Sequence, residues 1–421
     1  VTIEEIKTVC FVGGGTMGCF NALLSGIAGY EALVWDHAPE TLTGLPGRLK
    51  EFGDYFLQKG LFNADQLAGG LSRIHPVDDP QRASAHADLL SESVFERLDL
   101  KRQIHERFDR LCPAHTIMTT NTSGLPVSLI EDAVGRGDRF AALHSHLGSG
   151  LFDIVGGPRT SKKTIDILYR YVRSLGGIPL ILRKERPGYL YNTMFGPILG
   201  RALMLLIEGR ADVPDIDRAW MMGKGAEAGP FAMMDFIGLN VILDGSTEHL
   251  SDPARAEHAR KVIQLLSPMA AEGKLGVKTG KGFYTYPDPA FAQPGFLAGK
   301  AFREPLYDAL FSGLAVTALL LVIDGYATVH DVDRAWMAAQ HDEMGPLGML
   351  DQKGLDVFAA QLDDPDILGP VLPEDKQRVK AFLETYMDKG HLGVKTGHGF
   401  YVYPDPAYKA PGFLFGEGTS S

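Results

Sequence analysis

Within residues 7–28 a short apolar segment, three glycines and a second apolar run follow one another, and that order leaves few folds open. Val9-Cys-Phe-Val12 reads as a buried strand. Gly13, Gly15 and Gly18 come next in the spacing G-x-G-x-x-G, with Thr16 and Met17 between the last two, and the apolar run continuing to Ala28 suits a helix. Gly13 lets the chain turn tightly off the strand, Gly15 leaves room for a pyrophosphate to touch backbone, and Gly18 lets the helix pack close on the strand. The anion then sits on the unpaired N–H groups of the helix start. A second strand, Ala32-Leu-Val-Trp-Asp36, ends in an acid 21 residues after Gly15. A carboxylate there accepts from adenosine ribose hydroxyls and repels a 2′-phosphate, which favours NAD over NADP. The competing reading is an ordinary strand–turn–helix with glycine at a crossing.

The pattern continues along the chain. A helical stretch spans residues 39–59 and Gly60 breaks it; a short helix near 64–67 leads to a strand at 71–76. Residues 87–94 form a near-continuous apolar run, as expected of a central parallel strand. A helix over 98–111 and strands at 116–121, 139–144 and 151–155 follow, and a helix at 163–174 with a strand at 179–183 closes this half. Strands alternating with helices predict a doubly wound α/β sheet, whose ligands bind at the carboxyl ends of the strands. Asp36, Glu96, Asn121 and His144 all fall at or just after such ends.

From Pro187 the strand pattern stops and helical periodicity takes over, in a tandem repeat. Asp215-Ile-Asp-Arg-Ala-Trp220 returns as Asp331-Val-Asp-Arg-Ala-Trp336, and Gly229-Pro230 as Gly345-Pro346, both 116 positions on. Gly276-Val-Lys-Thr-Gly-Lys-Gly-Phe-Tyr284 returns 117 positions on as Gly393-Val-Lys-Thr-Gly-His-Gly-Phe-Tyr401. The chain therefore reads as one α/β domain (1–185) and two copies of an all-α domain (186–297 and 298–421), joined through the Pro- and Gly-rich tract 287–299.

The length of 421 residues suits two or three domains. The net charge of −11 and the absence of a basic run argue against nucleic acid and anionic membrane surfaces as partners. No apolar stretch reads as a membrane span, and the first residues lack a leader pattern, so a cytoplasmic protein is expected. Cys10, Cys19 and Cys112 are expected to be small buried hydrophobes rather than a disulfide or a metal site, and no metal is expected.

The fingerprint, Lys59-Gly60, Glu92-Ser-Val-Phe-Glu-Arg-Leu-Asp-Leu-Lys101, Asn121-Thr-Ser123, Arg139-Phe-Ala-Ala-Leu-His144, Pro187-Gly-Tyr-Leu-Tyr-Asn192, Gly229-Pro-Phe231 with Asp235, and Gly276 to Tyr284 together resemble the L-3-hydroxyacyl-CoA dehydrogenase family. The likeness covers residues 1–297 and again the second helical copy. It implies a Rossmann-type NAD-binding domain, a helical C-terminal-type domain in duplicate, and a place in fatty-acid metabolism. In single-copy members that helical domain makes the dimer, so the second copy is expected to mimic a partner subunit; a monomer with an internal pseudo-dimer and a homodimer through another surface both stay open.

Oxidising an alcohol with NAD needs a group to take the hydroxyl proton, and an imidazole, with a pKa of about 6.5, is suited to it. In the family a His at a strand end does this, oriented by a Glu. His144 matches the His. The chain then departs from the family's His-Phe-Phe-Asn-Pro: it reads His144-Ser-His-Leu-Gly-Ser-Gly150, and alignment back from Arg159-Thr-Ser161 puts Asp153 on the Glu position, nine residues on and one carbon shorter. A His144–Asp153 dyad results, with Asp153 fixing the tautomer; the alternative leaves Asp153 a strand-end surface acid. His146 is a rival for the same role, because two positions along a strand put it on the face of His144.

The resemblance further implies that Ser123 and Asn192 hydrogen-bond substrate and the catalytic His. It implies that Glu96 and Lys101 lie near the nicotinamide side; without it they read as a solvated helix start. The cofactor-binding set is thus Gly13, Gly15, Thr16, Met17, Gly18, Asp36, Glu96, Lys101 and Asn121. Lys50 and Lys59 are candidates for coenzyme A phosphates, or plain solvated lysines. Three readings remain open: an NAD-dependent (S)-3-hydroxyacyl-CoA dehydrogenase; a dehydrogenase of a non-CoA hydroxy acid, ring alcohol or aldehyde, motivated by the Gly-rich loop after His146; and a non-catalytic NAD-binding protein. The position of Asn192 maps to Asp308 in the second copy, which is read as scaffold.

Overall fold

In a computed structural model that describes residues 2–253, 255–369 and 371–417, eight strands form one sheet. They are β1 (Thr8–Val12), β2 (Glu31–Trp35), β3 (Ile74–Pro76), β4 (Leu89–Glu92), β5 (Ile117–Thr120), β6 (Phe140–Ser145), β7 (Leu151–Gly156) and β8 (Ile178–Leu182), in the order β3-β2-β1-β4-β5-β6-β7-β8. The first six are parallel; β7 runs antiparallel to β6 and parallel to β8. Central strands β4, β5 and β6 are buried at every position, as a sheet covered on both faces demands. Helices α1 (Thr16–Ile27), α2 (Leu98–Leu111) and α3 (Lys162–Ser174) begin as expected. Two expected elements shift. Residues 71–73 end a helix instead of opening β3, and the 39–59 stretch is broken at Gly44 into Pro39–Thr43 and Leu45–Gln58.

The three cysteines are free and buried, in line with the expectation from composition. By contrast, the reading that no stretch could span a membrane is corrected. The helix Glu304–Ile323 has 20 residues and a mean hydropathy of 2.1, enough by length and composition. It instead serves as a core helix, its apolar window 67% buried, packed on Val213–Lys224 and Pro373–Met387.

The helical repeat is present in matched elements. Val213–Lys224 corresponds to Val329–Gln340 and Pro230–Ile237 to Pro346–Lys353. Two carboxylates per copy explain why the motifs recur. Asp217 accepts from the amides of Phe231 (2.8 Å) and Ala232 (3.1 Å), and Asp333 from Leu347 (2.8 Å) and Gly348 (3.0 Å). Each caps a helix start that lacks internal partners. Asp235 holds the amides of Phe283 and Tyr284, both at 2.9 Å, and Asp351 does the same for Phe400 and Tyr401. The glycine before each aromatic pair is required: a Cβ on Gly282 would lie 1.9 Å from Asp235 Oδ1, and one on Gly399 2.0 Å from Asp351 Oδ1.

By contacts the described chain groups into two compact units, 1–191 with 324–348 and 404–421, and 192–323 with 349–403. The grouping places residues 324–348 of the second copy with the sheet. The reason is that Val329–Gln340 and the C-terminal segment pack on the edge of the sheet: the guanidinium of Arg334 donates to Pro179 O (2.9 Å) in β8 and to Leu414 O (3.0 Å), and Tyr169 of α3 donates to Phe415 O (2.9 Å). Gly282→Ala should destabilise the protein by about 2–4 kcal/mol in denaturant unfolding, whereas Gly295→Ala, where a Cβ meets nothing within 4 Å, should change it by less than about 0.5 kcal/mol.

Candidate active site

The glycine turn has the shape a dinucleotide needs. Gly13 has φ +104°, and a Cβ there would lie 2.7 Å from Ser93 O; one on Gly18 would lie 1.8 Å from Gly13 O. These two glycines are forced by backbone approach. A Cβ on Gly15 would meet nothing within 4 Å, and Gly15 and Thr16 are exposed at the start of the twelve-residue α1, with Met17 half-buried behind them. Open space over a helix N-terminus is what a pyrophosphate occupies. Asp36 accepts from Gly14 N (2.8 Å) and Ala38 N (2.9 Å), which fixes its carboxylate beside the turn and leaves lone pairs for ribose hydroxyls.

Across the sheet a buried charge network props the next strand ends. Glu92 closes β4, fully buried, and accepts from Lys101 Nζ (2.7 Å), Thr120 Oγ1 (2.6 Å) and Val94 N (2.7 Å), with His105 Nε2 at 3.2 Å. Burial pushes its carboxyl up, but His105 and Lys101 outweigh it and hold it at about 2. A Glu inside an apolar central strand was the sequence signal for this network, and it was passed over. Lys101 is turned inward, 1% exposed, so the solvated reading fails for it. It reaches toward the ligand side only through Glu96, 3.4 Å away. Glu96 Oε1 in turn accepts from Thr122 Oγ1 (2.5 Å) and the amides of Ser123 (2.8 Å) and Gly124 (3.0 Å). Asn121 Oδ1 accepts from Ser145 N (2.8 Å), tying the end of β5 to the end of β6.

His144 and Asp153 stand directly opposite each other on the antiparallel pair β6–β7. His144 Nδ1 lies 3.1 Å from Asp153 Oδ2, and His144 Nε2 lies 3.1 Å from Ser123 Oγ. Asp153 is wholly buried, so the reading of it as a surface acid is excluded. His146 does not compete with Asp153 but joins it, its Nε2 2.7 Å from the same Oδ2. An ionised Asp153 can accept on Oδ2 from both imidazoles when each carries its proton on the nitrogen that faces it. Burial raises the Asp153 carboxyl, yet the two imidazoles win and leave it below its usual value. His144 is held below 6.5 by burial, against the opposing pull of Asp153. With Nδ1–H committed to Asp153, Nε2 is left unprotonated and faces Ser123: an acceptor for a hydroxyl proton.

Sequence reasoning assigned no role to Tyr189, whose ring lies 5.1 Å from His144 and whose hydroxyl donates to Thr122 O (2.8 Å), from a left-handed backbone (φ 48°). Asn192 is exposed in the first turn of Tyr191–Ile207, in the second unit. Its counterpart Asp308 is buried, paired with Lys353 Nζ (2.7 Å) and hydrogen-bonded by Gln361 Nε2 (2.6 Å), an internal lock rather than an open site. Lys50 is an exposed lysine paired with Asp54 (2.6 Å). The loop Leu147–Gly150 is a tight hairpin with Gly148 at φ 80° and Gly150 at φ 70°, closed by His146 N on Leu151 O (3.0 Å).

A dinucleotide cradle at one group of strand ends, with a His–carboxylate pair at the ends of β6 and β7, defines an NAD-dependent dehydrogenase. Comparison with known proteins narrows the class. Residues 8–186 match the 3-hydroxyacyl-CoA dehydrogenase NAD binding domain, and residues 188–286 and 307–403 each match the 3-hydroxyacyl-CoA dehydrogenase C-terminal domain. Human mitochondrial hydroxyacyl-coenzyme A dehydrogenase is 32% identical over 292 residues, 67% of this chain and 91% of that protein. A diketoreductase structure described as acting on dicarbonyl compounds is 32% identical, with a TM-score of 0.61 over 67% of this chain and 99% of its own. The 3-hydroxybutyryl-CoA dehydrogenase of Escherichia coli shares the fold over 90% of this chain and 99% of its own, with a TM-score of 0.75 at 21% identity. The chain belongs to the 3-hydroxyacyl-CoA dehydrogenase family and is an NAD-dependent oxidoreductase.

The Glu92 network gives a test of the site's foundation. Lys101→Met leaves a buried carboxylate short of its main cation and should cost about 3–5 kcal/mol in chemical denaturation. In the wild type, the stability this depressed carboxyl contributes is complete above pH 4.5 and is lost as pH falls toward about 2. The variant's stability should therefore vary less with pH over that window.

Proposed function

We propose that the protein oxidises the secondary alcohol of an (S)-3-hydroxyacyl-CoA to the 3-ketoacyl thioester. The reading is carried by the His144–Asp153 pair at the end of β6, with Nε2 free to accept. His144 takes the hydroxyl proton on Nε2 as the carbon–oxygen double bond forms. Asp153 keeps the proton on Nδ1 and stabilises the imidazolium that results. Ser123, beside Nε2, holds the substrate oxygen. NAD, which Gly13, Gly15, Gly18 and Asp36 would hold, would supply the acceptor for the hydride leaving the same carbon. Glu96, tied to Ser123 and Gly124, fixes the loop between cofactor and base, and Lys101 acts through Glu96. Asn192 keeps the substrate-binding role that the family resemblance implies.

A second reading has one observation in its favour. The hairpin after His146 is short and glycine-built, and Asp153 stands nine residues after His144 on a shorter acid than the family's, so a non-thioester alcohol or dicarbonyl compound fits as an alternative substrate. The two are separated by NADH formation with (S)-3-hydroxybutyryl-CoA and longer acyl-CoAs, set against the free hydroxy acids. Turnover of free acids alone sinks the thioester reading, and no turnover of either with NAD bound sinks both.

His144→Ala should lower kcat by about 10²–10⁴-fold with NAD affinity unchanged. Because the unprotonated imidazole is the active form and burial holds it below 6.5, kcat/KM for oxidation should rise with pH along an acid limb centred below 6.5 and stay flat above it. A limb centred above that value would contradict the assignment.

A further inference from the structure

The second helical copy reaches the catalytic pair's surroundings through the end of its helix Val329–Gln340. Gln340, the last residue of its helix Val329–Gln340, donates from Nε2 to the hydroxyl of Tyr191. The Tyr191 ring is flanked by Trp336 of the same helix, at 6.0 Å, and by His146, edge-on at 5.6 Å and 84°. His146 in turn crosses the ring of His144 at 4.4 Å and 78° and shares Asp153 Oδ2 with it. An unbroken run of contacts thus leads from the second copy to the base.

The helix that starts this run is anchored on the sheet. Arg334 donates to Pro179 O in β8, the strand beside that of Asp153, and pairs with Asp331 Oδ1 at 2.9 Å. Trp336 Nε1 donates to Asp342 Oδ2 at 2.7 Å. The first copy provides an internal reference. It keeps part of the scaffold: Arg218 pairs with Asp215 and donates to Phe296 O (2.9 Å), as Arg334 pairs with Asp331 and donates to Leu414 O, but the bond of Arg334 to Pro179 O belongs to the second copy. It differs where the second copy reaches the site. Gln340 stands opposite Lys224, Asp342 opposite Ala226, and His341 opposite Gly225. The Trp220 indole N–H, lacking the acid, has no partner. His341 holds the left-handed conformation (φ 55°) that the first copy gives to a glycine (φ 73°). Among the described residues only Tyr189 and His341 do this without being glycine, and Tyr189 lies against His144.

We propose that Gln340 is a positioning residue for the His144–Asp153 pair, acting through Tyr191 and His146. The second copy would then complete the active site as well as the scaffold. The proposal rests on the dehydrogenase reading above. His146 supplies the second N–H on Asp153 Oδ2. Held by Tyr191, it keeps the carboxylate aimed at His144 Nδ1, and small errors in such alignment are felt in the chemical step more than in binding.

The test is Gln340→Ala and Tyr191→Phe, singly and together, in the full chain with the alcohol substrate that gives turnover. Each single variant should lower kcat by about tenfold, with KM for NAD unchanged. The acid limb of kcat/KM should move to lower pH, because a carboxylate that swings away raises His144 less. The double variant should be no worse than the more severe single, as two members of one path require. A wild-type kcat and pH profile in folded Gln340→Ala overturns the proposal. Should that variant fail to fold by circular dichroism, Tyr191→Phe, which keeps the ring, decides alone on the same readouts. His144→Ala separates the two levels. If it retains activity, the dehydrogenase assignment of His144 is wrong; if it is inactive while Gln340→Ala and Tyr191→Phe match wild type, only the positioning role is lost.

Discussion

One buried carboxylate oxygen sets the terms for the active end of this protein. Asp153 Oδ2 accepts from two imidazoles at once, deep in the sheet, where an unpaired charge would not survive. The arrangement exists only because β7 reverses direction. In the antiparallel pair, His144 and Asp153 face each other across the strands, and His146 projects to the same side two residues on. A parallel β7 would have needed a long crossover and would have broken the short link between base and acid. The tight glycine hairpin at 147–150 sets the register that brings His144 and Asp153 face to face.

The same logic of buried, compensated charge recurs one strand pair away. Glu92 sits at the end of β4 with Lys101 and His105 drawn in around it. The hydrogen bond from His105 and the Lys101 ammonium overcome burial, so it remains ionised. Lys101 passes the constraint to Glu96, and Glu96 gathers the backbone of Ser123 and Gly124. Ser123 then faces His144. The loop that carries Ser123 is thus fixed from beneath by charge and from the side by the imidazole.

Much of this was legible in the residues. The glycine spacing and Asp36 gave the cradle, since those positions are set by local backbone demands that sequence expresses directly. The repeat gave the two helical copies, because capping carboxylates and their obligatory glycines recur in step. His144 was found through its motif, and Asp153 by counting back from Arg159-Thr-Ser161. Other features stayed hidden. Glu92 was read as one residue of an apolar strand, because nothing in the local pattern announces that Lys101 and His105 fold back onto it. Tyr189 escaped because its left-handed backbone has no signature in a non-glycine residue. Glu304–Ile323 escapes as a candidate span because its single buried acid, Asp308, interrupts the apolar run; the same acid, locked by Lys353 and Gln361, sits inside the helical packing.

Duplication within one chain bears on how that lock arose. In a symmetric homodimer both copies of a surface carry the same residues, so a change that suits one setting is imposed on the other. Two copies in one polypeptide are free of that restriction. The position held by Asn192 in the first copy is an acid in the second, and its partners, the ammonium of Lys353 and the amide of Gln361, stand opposite Ile237 and Gly245. An unpaired acid there would be a buried charge without compensation, so the three differences are interdependent. The capping acids Asp217, Asp333, Asp235 and Asp351 show no such divergence, because each copy must close its own helices and hairpin. What the copies share is therefore what folding requires of each, and where they differ the chain has relieved one copy of a duty that the other retains.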